Sequence, residues 1–152
     1  MELDPIDRKL LAAVQRDAQM TAVQLGAHLN LSPSQAARRR QRLEDAGPIT
    51  GYHASVNPED IGLGVQAFIQ IAMASHTAEN AGDFLALTRR RPEIVGAWTT
   101  TGEADYLLRI YCHDLATLNT LVQNVLLPHP AVARVQSQIV MERIKPDAPL
   151  PV

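Results

Sequence analysis

Aromatic side chains are scarce in this 152-residue sequence, at 4% of the total. Any core must therefore be built from Leu, Ile, Val and Ala. There is one cysteine, Cys112. That excludes an internal disulfide, fits a reducing compartment, and makes a buried strand thiol the default reading. Net charge is also small, −2 in all; residues 1–60 hold seven Lys/Arg and eight Asp/Glu, and the remainder holds the same numbers. Bulk charge therefore points to no partner, and only its local arrangement can. No apolar run reaches the roughly 18 residues needed to span a bilayer. The opening, MELDPIDRK, carries acids where a signal peptide has a basic start and an apolar run. A cytoplasmic protein with no membrane partner is expected. Catalytic sets are missing too. His28, His53, His76, His113 and His129 are scattered, and none makes a metal-ligand spacing with Cys112. No glycine loop suited to phosphates is present. No enzyme activity, metal or cofactor is expected.

What is present divides into two patterns, and the class predicted is α+β. Residues 1–56 read as three helices and a small two-stranded wing. Asp4 caps the first helix, with Pro5 at its first position. Ile6, Leu10, Leu11 and Val14 then give one apolar face. Thr21 caps a short second helix, with Val23, Leu25 and Leu29 expected inward. Ser32, Pro33 and Gln35 form the start of a third, with a capping box. Gly47-Pro48 stops it. "ITGYHASV" alternates around Gly51 and is read as the wing.

Residues 57–64, "NPEDIGLG", read as a linker. Residues 65–145 read strand, helix, strand, strand, helix, strand, which is the ferredoxin-like βαββαβ arrangement. Phe84, Leu85 and Leu87 are expected inward on the first helix of this part, and Arg89–Arg91 close it, where cations suit the carbonyl end. Strands such as "FIQIAMA" carry apolar groups on both sides, so the face without helices needs a cover. A second copy of the chain is the simplest one, and a homodimer is expected. Trp98 is placed in a sheet or a subunit contact. The tail, residues 146–152, is proline-rich and expected to be extended and of no consequence to the fold.

The third helix holds the one strong local charge. "SPSQAARRRQRL" places Arg38, Arg39, Arg40 and Arg42 within five positions. Its weak apolar stripe runs through Ala36, Arg40 and Leu43. A short helix, a tight turn and a helix with a long polar face make a helix-turn-helix. Ser32 and Ser34 at its start suit phosphates. Gln35, Arg38, Arg39, Gln41 and Arg42 carry the groups that pair with phosphates and base edges in a major groove. Double-stranded DNA is the expected partner. The competing reading is a solvated face partly paired with Glu44 and Asp45. Arg40, on the buried stripe, is expected to lay its stem along the core and pair locally.

With these features in place, the sequence resembles the Lrp/AsnC family of transcription regulators. The resemblance rests on "LDPIDRKLLAAVQRDAQMTAVQLGAHLNLSPSQAARRRQRLEDAGPITGY" and "TTTGEADYLLRIYCHDLATLNTLV". It implies a winged helix-turn-helix at residues 1–56. It also implies a βαββαβ domain that dimerises, gathers into octamers and binds a small effector, often an amino acid. The family's glycine-to-aspartate turn corresponds to Gly102 and Asp105. "TTTGEAD" offers hydroxyls, a glycine and a carboxylate, so Thr100, Thr101, Gly102 and Asp105 are the candidate effector site. Two positions depart from the family pattern. Arg40 stands where an apolar residue is usual, and Pro48 where a β-branched one is common. Both are expected to loosen the packing between the third helix and the wing. Two rivals remain: a small-molecule sensor or enzyme subunit whose helical head docks protein, and a non-specific architectural DNA protein.

Overall fold

The computed structural model describes residues 2–75 and 77–152. The chain forms two compact units, one running to Ser55 and including Ile144–Val152, the other spanning Val56–Arg143.

The first unit is built on α1 (Pro5–Arg16), α2 (Ala22–Leu29) and α3 (Pro33–Asp45). Asp4, Thr21 and Ser32 are the three N-caps, and each closes a capping box with the residue three positions on. Leu10, Leu11, Ala13 and Val14 of α1 meet Leu25 and Leu29 of α2 and Ala36 and Leu43 of α3 in one buried cluster. Val23 is not part of it and stands 65% exposed. Leu25 lies two positions further on, a turn of about 200° on a helix, so the two cannot share a face. Gly26 takes the inward place instead. A Cβ there would lie 2.7 Å from the carbonyl oxygen of Leu31. Only glycine lets the α2–α3 turn close this tightly.

The wing is not formed. Residues 49–56 carry no strand pairing, although Ile49 donates its N–H to the Leu43 carbonyl at 3.1 Å. A hairpin needs at least two turn residues of suitable conformation, and Gly51 alone does not supply them. The tail corrects a second expectation. It is extended, but Leu150 donates its N–H to Gln15 Oε1 at 2.6 Å and accepts from Gln15 Nε2 at 3.2 Å, so it is fastened to α1.

The second unit begins with a 3₁₀ turn at Glu59–Ile61. Its elements are β1 (Val65–Met73), α4 (Ala78–Arg90), β2 (Ile94–Thr99), β3 (Tyr106–Cys112), α5 (Leu115–Leu121) and β4 (Val132–Ile139). The sheet is antiparallel in the order β2-β3-β1-β4, with Val65 opposite Cys112, Ala67 opposite Ile139 and Thr99 opposite Tyr106. This is the expected βαββαβ arrangement. One face carries Ala67, Ile69, Ile71, Tyr106, Leu108, Ile110 and Cys112, and buries Phe84 of α4 with Leu118 and Leu121 of α5.

Three details differ from the sequence reading. Leu85 stays 36% exposed because the inward stripe of α4 runs through Phe84 and Thr88, one helical turn apart. The second helix ends at Leu121 and passes into a π turn, Val122–Leu126; Leu121 and Leu126, five residues apart, both stay buried at that wider spacing. β4 stops at Ile139 because its partner β1 is nearly exhausted there, and only Val140 adds a bond, to the Gln66 carbonyl.

The face without helices is more polar than expected. It alternates Gln66, Phe68 and Gln70 on β1 with Leu107, Arg109 and Tyr111 on β3. Burial raises the thiol pKa of Cys112, on the other face, and the charges of Glu93 and Asp114 add to that. Phe84 is the keystone of the core. It is fully buried, 5.1 Å from the Tyr106 ring and edge-on to His129 at 5.7 Å. Phe84→Ala is expected to remove about 3–5 kcal/mol of unfolding free energy in a urea titration.

Candidate nucleic-acid interface and effector turn

The capping box decides how α3 begins. Gln35 donates its N–H to Ser32 Oγ at 3.3 Å, and Ser32 donates its N–H to Gln35 Oε1 at 3.0 Å. Ser34 shares a hydrogen bond with Ser32 Oγ at 3.1 Å. Ala36 and Leu43 are fully buried, which turns Ser34, Gln35, Arg38, Gln41 and Arg42 outward.

The four arginines have separate fates. Arg39 is 27% exposed and donates to Asp4 at 2.6 Å and to Asp7 at 2.8 Å. The Arg39 guanidinium beside Asp4 holds that carboxyl below its usual range, and the bond to Asp4 in turn raises Arg39. Arg42 is 49% exposed and grips both oxygens of Asp7, at 2.6 and 2.5 Å. Arg40 lies along the core as expected. It donates to the carbonyls of Met20 and Ala18, to Glu44 and to the Tyr52 hydroxyl, with its guanidinium 4.7 Å from the centre of the Tyr52 ring. The expected loosening by Arg40 is therefore not observed: the charge is taken up by the two carbonyls, Glu44 and the Tyr52 hydroxyl. Arg38 is exposed and has no hydrogen-bond or ion-pair partner among the described residues. It lines two adjoining hollows of about 400 and 480 Å³, one with Ser34, Gln35, Arg39 and Arg42, the other with Gln41, Arg42, Asp45 and Ala46. Gln41 already donates to Asp45 at 2.9 Å.

In the sheet unit the β2–β3 connection turns at Gly102, whose φ of 111° lies in the left-handed region. Thr100 donates its N–H to the Asp105 carbonyl and its hydroxyl to the Ala104 carbonyl. Asp105 is half-buried, and its carboxylate accepts the Met73 N–H at 2.7 Å. A recess of about 260 Å³ opens here, lined by Met73, Ser75, Ala81, Thr99, Thr100, Asp105 and Tyr106. Beside it, sharing Thr99 and Tyr106, is a more apolar hollow of about 390 Å³ with Leu85, Ala97 and Trp98. Of the four effector candidates, Thr100 and Asp105 are brought together. Thr101 and Gly102 sit on the exposed outside of the turn and line neither hollow.

Known proteins share this arrangement. Residues 66–150 match the Lrp/AsnC ligand binding domain, and residues 3–44 match the AsnC-type helix-turn-helix domain. The chain belongs to the Lrp/AsnC family.

Its relatives are transcription regulators rather than enzymes. It is 36% identical over 150 residues to the DNA-binding transcriptional activator DecR of Escherichia coli (strain K12), covering 99% of each chain. It is 32% identical over 145 residues to the leucine-responsive regulatory protein of Rhizobium meliloti (strain 1021), covering 95% of this chain and 93% of that one. Among solved structures, a transcriptional regulator from Neisseria meningitidis in complex with L-Met superposes with a TM-score of 0.94 at 37% identity, covering 99% of this chain and 97% of that one. This Lrp/AsnC chain is thus a DNA-binding transcription regulator by family.

Reading the sequence missed the roles of Asp4 and Asp7. Asp4 reads only as a cap and Asp7 carries no reading at all, yet both are counter-ions of α3 arginines 32 or 35 residues away in sequence. The available signal was the apolar stripe of α1: Asp7 lies three residues before Leu10 and four before Leu11, on the inward face. The hydrogen-bonding of Ser75 was missed as well; it accepts from Asn80 Nδ2 at 2.6 Å inside the recess. His76 lies outside the described residues, and among the described residues no cluster of His, Cys, Asp and Glu is arranged to hold a metal.

Proposed function

We propose that this regulator contacts double-stranded DNA through the exposed side of α3 and is controlled by an amino acid bound beside Asp105. The observation that carries the DNA half is Arg38, an unpaired guanidinium on a helix whose opposite side is buried by Ala36 and Leu43. Arg38 and Gln35 address base edges. Ser32, Ser34 and the exposed edge of Arg42 address phosphates, with Gln41 at the periphery and Arg39 held back at the helix seam.

The effector half rests on complementary polarity. Asp105 and Thr100, whose hydroxyl proton is already given to Ala104, present acceptors to an ammonium group. Ser75 Oγ accepts from Asn80 and so has its proton to donate to a carboxylate, with Thr99 beside it. The hollow next door takes the side chain. The L-Met complex of the Neisseria meningitidis relative agrees with this class of ligand. Thr101 and Gly102 enter the proposal as the turn that a neighbouring dimer meets. The exposed Val95 and Trp98 on β2, and Phe68 and Leu107 on the open face, support a homodimer that assembles further, to an octamer. No helix among the described residues is long and apolar enough to cross a membrane, and the reading places the protein in the cytoplasm with its DNA.

Fluorescence anisotropy with labelled duplex, read across a salt series, tests the DNA half. Arg38→Ala is expected to weaken binding to a selected duplex by about 1–3 kcal/mol, roughly tenfold to a hundredfold, with no change in melting temperature. Full affinity in Arg38→Ala, or duplex binding that salt does not touch, would favour a protein-docking head instead.

A further inference from the structure

We propose that Asp7, which lies behind α3 and reaches no DNA, is the positioning residue that sets how much of the arginine helix is spent on phosphates and how much on sequence. The inference rests on the reading of α3 as the DNA-contacting helix and deepens it.

Asp7 is 1% exposed. Its Oδ1 accepts from Arg39 at 2.8 Å and Arg42 at 2.6 Å, and its Oδ2 accepts from Arg42 at 2.5 Å and from the Asp4 N–H at 3.2 Å. Asp4 returns the favour, with Oδ1 accepting the Asp7 N–H and Oδ2 accepting Arg39. The capping box of α1 is therefore also the anchor of two α3 guanidiniums. Two carboxylates offset two arginines, Glu44 offsets Arg40, and Arg38 alone is left without a counter-ion among the described residues. Arg39 makes both of its bonds through Nη1 and Arg42 both of its through Nη2, so each guanidinium has one terminal nitrogen pinned between two carboxylate oxygens by charge-assisted hydrogen bonds. Arg39 and Arg42 are thus held in place instead of sweeping for any phosphate in reach. The helix carries four arginines and presents the salt response of far fewer.

The test is Asp7→Asn, which keeps size and an acceptor oxygen but removes the charge. Two probes are used: a duplex recovered by repeated selection from a randomised pool, and a scrambled duplex of equal length. Freeing Arg42, and leaving Arg39 held by Asp4 alone, is expected to steepen the slope of log affinity against log salt by about 1–2 per head. Affinity for the scrambled duplex should rise, and the ratio between the two duplexes should fall several-fold. A merely structural Asp7 would lower both affinities together with slope and ratio unchanged, and that result overturns the proposal. If Asp7→Asn does not fold, the full-length chain with Arg39→Gln is compared with Arg38→Gln. Arg38→Gln should shallow the slope by about one and Arg39→Gln should leave it unchanged; equal losses overturn the proposal. A wild-type chain without salt-sensitive duplex binding sinks the reading of α3 itself, a separate outcome.

Discussion

Gly26→Ala is expected to abolish tight duplex binding while leaving the sheet unit and its ligand response intact. Two effects oppose each other at this site. Alanine is the better helix former by about 1 kcal/mol, which alone would stabilise α2. Against that, the new methyl group meets the Leu31 carbonyl oxygen at 2.7 Å and the Pro33 nitrogen at 3.2 Å. Both are backbone atoms, so no side-chain rotation relieves the contact. Leu31 also donates its N–H to the Gly26 carbonyl at 2.8 Å, tying the same two residues together from the other side. Overpacking of this kind costs about 1–3 kcal/mol, and the only release is to swing α3 away from α2. The swing re-aims Arg38 and Gln35 together, so affinity should fall by more than the tenfold that about 1.4 kcal/mol represents. Anisotropy with the selected duplex reads the loss, and calorimetry with whichever amino acid a thermal-shift screen identifies checks that the sheet unit is unaffected. Wild-type affinity in Gly26→Ala would show that the α2–α3 turn absorbs a methyl group without moving the helix.

Asp105→Asn should lose the effector response and keep DNA binding of the ligand-free protein. The asparagine retains an acceptor for the Met73 N–H, so the end of β1 keeps its bond. What disappears is the negative charge proposed to face the ammonium group. A hydrogen bond to a charged partner contributes about 1.5–3 kcal/mol, so ligand affinity should drop by roughly tenfold to more than a hundredfold. A thermal-shift screen of the twenty amino acids identifies the ligand first, since whatever binds the native state raises its melting temperature. The same ligand is then titrated into Asp105→Asn. An undiminished shift would move the effector site away from this recess.

The parts of the fold that were legible beforehand share a cause. Caps, proline positions and apolar periodicity act within a few residues, so Asp4, Thr21 and Ser32 announced their helices directly. Alternation in "VQAFIQIAMA" and "DYLLRIYCH" announced β1 and β3 in the same way. The wing was read from "ITGYHASV" by alternation alone, and failed because pairing needs a partner strand and a competent turn. Val23 and Leu85 were placed inward by hydrophobicity, and helical phase overruled both.

Sequence by itself determined the two-part architecture, the helix-turn-helix and the family, because each rests on local spacing that survives without coordinates. It also located the acidic turn at Asp105. The three-dimensional structure alone decided which arginine is available. Arg38, Arg39 and Arg42 are chemically equal in the string of letters. Folding brings Asp4 and Asp7 against two of them and leaves the third in solvent. Ion pairs between α1 and α3 depend on the angle at which the helices cross, and no local pattern of residues encodes that angle.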